Sequence, residues 1–105
     1  MNLAETNFFM PKKSLGDRHR AQSHKFFKLS LNDGENSFEN LEWAEQSARQ
    51  SILYDYTNFQ NWELLLKIKL KLADESGIYA LLEDLLSVLG KDIDFINQLK
   101  KINIL

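Results

Sequence analysis

From Asn40 onward, apolar residues recur at steps of three and four with polar residues between them. Leu41, Ala44, Ala48 and Ile52 form one series, Trp62, Leu65, Leu66, Ile68 and Leu72 a second, Ile78, Leu81, Leu82, Leu85, Leu86 and Leu89 a third, and Ile93, Ile96, Leu99 and Ile102 a fourth. This period predicts amphipathic helices packed on one another. Ser37 is placed to cap a helix over 38–56, with Glu39 and Glu42 in its first turns. Thr57 or Asn58 caps a second over 59–73. A third runs over 77–89 and stops at Gly90, and Asp92 caps a last one over 92–103. Residues 66–72 alternate strictly and would also suit a strand. The preceding Leu64-Leu65-Leu66 run breaks that alternation, however, and Glu63, Lys67 and Lys71 lie four apart on one helical face. In the helix, Lys69 falls near the apolar side and is expected to reach outward along its own methylenes.

The first third of the chain reads differently. Asp17 could cap a helix over 17–31 whose apolar end is Phe26, Phe27, Leu29 and Leu31, before Asn32-Asp33-Gly34-Glu35-Asn36 breaks the chain. Residues 1–16 show no sustained period and are expected to form a flexible arm, with Phe8, Phe9 and Met10 as a hydrophobic hook. The predicted fold is therefore all-α: two stacked antiparallel helical hairpins, preceded by a shorter helix and a flexible basic N-terminal arm. The helical domain spans 17–105. Small Ala44 and Ala48, four apart, would let another helix approach closely.

Composition narrows the field. The chain has 105 residues, one proline, four glycines and no cysteine. That excludes disulfide scaffolds, cysteine-ligated zinc and thiol catalysis. No stretch approaches the roughly 20 apolar residues that span a bilayer, and no secretory leader is legible. The expectation is an intracellular protein, nuclear or cytoplasmic, off the membrane. The net charge of -2 hides a split: residues 11–28 carry six cations against one acid, and residues 29–105 carry seven cations against thirteen acids. A basic arm on an acidic body implies two faces.

A shift of 33 residues overlays the halves of the body, setting Ala48 on Leu81, Ile52 on Leu85, Leu53 on Leu86, Trp62 on Phe95 and Leu66 on Leu99. A helical hairpin repeating at this interval marks stacked-hairpin solenoids. The segment Ala48-Arg49-Gln50-Ser51-Ile52-Leu53, followed by Asn58-Phe59-Gln60-Asn61-Trp62-Glu63-Leu64-Leu65, resembles the middle of a tetratricopeptide or half-a-tetratricopeptide repeat. That resemblance implies a scaffold that holds proteins or peptides, and in the half-repeat branch a subunit of RNA-processing assemblies. Two repeats are fewer than the three or so that usually stabilise a solenoid, which points to apolar contacts supplied by a partner or by self-association.

Little else carries chemistry. His19 and His24 lack acids at metal-ligand spacing and read as solvated. No phosphate-cradling glycine loop and no paired-acid motif is present. Neither an enzyme, a cofactor nor a small-molecule substrate is implied. Five residues are candidates for protein contact: Phe8, Phe9, Phe38, Trp43 and Tyr54. Trp43 lies off the Leu41/Ala44/Ala48 stripe and is expected at an interface, whereas Trp62 is expected in the core. Lys12, Lys13, Arg18, Arg20, Lys25 and Lys28 form the basic segment, and three roles fit it: a solvated arm, a dock for an acidic protein, or a contact to RNA phosphates.

Overall fold

The computed structural model describes residues 12–32 and 34–101; the side chains of Phe95 and Leu99 are outside that description, and so are Phe8 and Phe9. Among the described residues every regular element is helical. They are α1 (Lys12–Asn32), a 3-10 turn (Gly34–Asn36), α2 (Ser37–Tyr54), α3 (Phe59–Lys71), α4 (Glu75–Leu89) and α5 (Ile93–Lys100). The all-α fold with antiparallel helical pairs follows the hydrophobic pattern, and 66–72 is helical.

The first helix departs from expectation. It is the longest element, not a short one, and it starts at Lys12. The boundary at residue 16 is therefore corrected: Lys12 and Lys13 belong to the helix. Asp17 is not a cap but lies inside α1, paired with Arg20 at 3.1 Å. The physical reason lies in packing. The buried residues of α1 are Gly16, Ser23 and Ser30, small and spaced by seven; Gly16 lies against Ser51 and Asp55 at the end of α2, and Ser23 against Ala44. With no bulk between them the two backbones close up along their length. The Ser23 hydroxyl donates to the Ala44 carbonyl at 2.7 Å. A Cβ built on Gly16 would sit 2.8 Å from the Asp55 Cβ and 3.2 Å from the Ser51 carbonyl oxygen. The tightest hairpin is thus α1–α2, formed by the helix that was expected merely to precede two others.

Large apolar side chains lie to one side of this plate. α3 covers it, with Leu41, Ala44 and Ala48 from α2 meeting Trp62, Leu65, Leu66 and Ile68. α3 is buried nearly all round, as a central helix must be, and its far side receives Leu81 and Leu85 of α4. Ile96 of α5 packs at the edge of this core. Trp62 is buried as expected, and its indole N–H donates to the Tyr56 carbonyl at 2.7 Å. The molecule measures 51 × 41 × 20 Å, and the short dimension equals about two helix diameters.

Caps set the corners. The Asn58 side chain accepts from the Gln60 amide at 3.0 Å, and Asp92 accepts from Asp94 at 2.9 Å. α2 starts without a side-chain cap, so Ser37 does not cap it. α3 ends in a Schellman turn, with the Asp74 amide on the Lys69 carbonyl and the Ala73 amide on Leu70, both at 3.1 Å. That places Ala73 at φ 55, a left-handed position usually given to glycine. Asp74 then caps α4 by accepting from the Gly77 amide.

Candidate docking face

The α1–α2 plate has two sides, and α3 covers only one. The other carries a stripe from each helix with the same spacing of four, three and four: Leu15, His19, Gln22 and Phe26 on α1, and Trp43, Ser47, Gln50 and Tyr54 on α2. The antiparallel register brings the stripes together at their ends. His19 and Tyr54 stack with parallel rings, centroids 5.3 Å apart, and Phe26 and Trp43 stack at 6.2 Å. A groove of about 710 Å³ lies between, with Arg18 and Arg49 on its rim, the amides of Gln22, Gln46 and Gln50 in its walls, and no carboxylate among its lining residues. Trp43 is 48% exposed and Tyr54 37%. Both are held in place by a stacked neighbour, so a partner meets rings whose rotamers are already restricted.

The sequence candidates separate on this map. Trp43 lines the groove, and Tyr54 stacks on His19 at its end. Phe38 is exposed at the start of α2 but points away from it, as its helical position relative to Trp43 requires. Lys12 and Lys13 are exposed in the first turn of α1, and Lys25 and Lys28 are exposed on its outer side, away from the groove, around a shallow depression with Ala21 and Leu29. Arg18 is exposed and reaches the rim. Arg20 turns inward, donating to the Asn61 Oδ1 at 2.8 Å and pairing with Asp17 at 3.1 Å. The side chain of Asn61 also donates to the Ser51 and Asp55 carbonyls at 3.1 and 3.0 Å, so a buried amide ties the end of α2 to α1. His19, read as a solvated histidine, lines the groove, and so does Phe26, which also packs against the core as its apolar type suggests. The shared four-three-four spacing was the signal that could have found them.

Charged side chains are committed to structure at the groove, where Arg49 pairs with Glu45 at 3.6 Å, and elsewhere. Lys69 does not reach into solvent. It is 4% exposed, and its amine bonds the Glu45 carboxylate at 2.6 Å and the Asp74 carboxylate at 3.2 Å. The Gly77 amide and then the Lys69 amine hold the Asp74 carboxyl below its ordinary value. His24 lies between Arg20, Lys28 and Lys67; partial burial first, then these cations, hold its imidazole below the ordinary value. Among the described residues no three of His, Asp and Glu gather as a metal-ligand cluster, and no helix is long and apolar enough to cross a membrane.

No protein-family model, no curated protein and no solved structure matches the chain.

Proposed function

We propose that this chain is a non-enzymatic helical docking module, and that the uncovered face of α1–α2 seats an amphipathic helix carrying acidic residues on a partner protein. The observation that carries this reading is the groove itself: a second interhelical face, bounded by two stacked aromatic pairs and rimmed by Arg18 and Arg49, with no other helix across it among the described residues. Two parallel stripes at a period near 3.5 are the surface on which a third helix packs. The arginines select for acidic flanks and steer encounter. The resemblance to tetratricopeptide hairpins supports the same class of function, as does the run of antiparallel helices α2 to α5; on that resemblance the module would serve a larger assembly, in the half-repeat branch one that processes RNA.

The test is binding of a fluorescein-labelled acidic amphipathic helical peptide, read by anisotropy. Trp43→Ala is expected to weaken binding at least tenfold, the scale of an interface hot spot, with helicity unchanged by circular dichroism. Phe38→Ala, remote from the groove, should bind as the parent does. Equal binding by the Trp43 variant refutes the reading.

A second reading rests on a separate observation. Lys25 and Lys28 share the outer side of α1 with Arg18, an exposed cationic edge suited to RNA phosphates. If RNA is the ligand, Lys25→Glu with Lys28→Glu abolishes a salt-sensitive shift of single-stranded RNA and leaves peptide binding at the groove intact.

A further inference from the structure

We infer that the helix taken up by the groove is α4 of a second copy of this chain, so that molecules join head to tail; this rests on the docking function proposed above. α4 uses Leu81 and Leu85 to hold α3, and both are buried. A stripe flanking that buried side carries Glu75, Tyr79, Leu82 and Leu86, again spaced by four, three and four; Leu82 is partly buried against the core and the other three are exposed. Tyr79 is 64% exposed and Leu86 48%. The ridge from Glu75 to Leu86 and the groove stripe from Leu15 to Phe26 are each eleven residues long, roughly 16 Å of helix. Three stripes of one period can mesh as knobs and holes over that whole length.

Charge selects the same pairing. α4 contains Glu75, Glu83 and Asp84 and no lysine, arginine or histidine. The groove lining contains Arg18, His19 and Arg49 and no carboxylate, and Arg49, paired with Glu45 at 3.6 Å, keeps much of its guanidinium exposed. The flank that faces Arg18 and Arg49 is therefore acidic, and a groove-to-groove or ridge-to-ridge pairing sets like charges opposite each other. Within one molecule the pairing is closed off, because α4 sits beyond α3 on the covered side of the α1–α2 plate. The contact joins two different surfaces, so a joined pair still leaves one groove and one ridge open. It grows by open addition and does not stop at a symmetric dimer.

The experiment uses two variants of the full chain and light scattering after gel filtration. Arg18→Glu with Arg49→Glu disables the groove; Tyr79→Lys with Leu86→Lys disables the ridge at exposed positions, with circular dichroism as the check on folding and Tyr79→Ser as the milder substitute. The parent protein should show a mass that rises with concentration and falls as salt is raised. Each variant alone should be monomeric. Mixed one to one, they should form a dimer that grows no further, because one retains a working ridge and the other a working groove. A parent that stays monomeric at millimolar concentration overturns the inference, as does a closed dimer untouched by either variant, or a mixture that remains monomeric. If the groove still binds the acidic peptide while the parent is monomeric, the docking function stands and only the identity of the helix is wrong. Loss of both removes both.

Discussion

Replacing Asn61 with alanine is the sharpest test of how the α1–α2 plate is tied to α3. The amide is fully buried and spends all its hydrogen-bonding geometry on three partners. The acceptor half meets Arg20, a charge-assisted bond that contributes about 1.5–3 kcal/mol. The donor half meets two carbonyls that each keep another partner, Ser51 with the Asp55 amide at 2.9 Å and Asp55 with the Asn58 amide at 3.3 Å. Their loss therefore lies at the low end, about 0.5 kcal/mol each. Arg20 retains Asp17 and avoids full isolation. The sum is about 3 kcal/mol, a large fraction of the roughly 5–15 kcal/mol typical of a domain. Urea denaturation followed at 222 nm measures it, and the melting temperature should fall by roughly 12 °C or more. A cycle with Arg20→Met should show a coupling of about 1.5 kcal/mol. A loss under about 1 kcal/mol, or additivity of the two changes, refutes the reasoning. The cycle bears on function too, since loss of RNA binding in an Arg20 variant would then report unfolding and not a lost phosphate contact.

Gly16→Ala adds a methyl where a Cβ meets the Asp55 Cβ at 2.8 Å; overpacking of about 1–3 kcal/mol outweighs the gain of about 1 kcal/mol in helix propensity, and the urea midpoint should fall. Ala73→Gly should act in the opposite sense, because a left-handed alanine at φ 55 is relieved; a gain of about 1 kcal/mol is expected in the same assay. For His24 the folded imidazole is held below the ordinary value of 6.5, so the unfolded chain binds the proton first and stability falls as pH drops through that value. Lys67 and Glu63 from α3 face the same site with Arg20. The parent should lose more of its urea midpoint between pH 7.5 and 5 than His24→Gln does.

The helices of the body were legible because their apolar periods are long and their caps conventional: Asn58 and Asp92 hold the positions that the sequence assigns them. α1 was misjudged for one reason. Its inner face is Gly16, Ser23 and Ser30, and residues without bulk leave no mark on a search for apolar periodicity. The same blind spot hid the groove. His19 and Gln22 count as polar and Phe26 as core, so the stripe they share with Leu15 does not register as a face. Arg20 and Lys69 misled for a related reason, since a cation's type does not say whether it meets water or a buried acceptor. Ala73 carried no signal at all, because the left-handed turn is imposed by the docking of α4.

The small-residue seam explains why aromatic rings remain outside. When Gly16, Ser23 and Ser30 draw α1 onto α2, nothing large fits between the two helices, and their bulky side chains must lie to either side of the contact. On one side Leu41 and Ile52 meet α3 and become core. On the other, Trp43 stacks on Phe26, which reaches the edge of the core, and His19 stacks on Tyr54. A looser hairpin would have swallowed some of these rings and blunted the groove. Close approach of two helices thus creates, by exclusion, a matched pair of flanks, and the chain supplies one helix for one flank. The second flank has the same period and the same demand, and α4 is the helix of this chain whose spare face answers both its spacing and its charge.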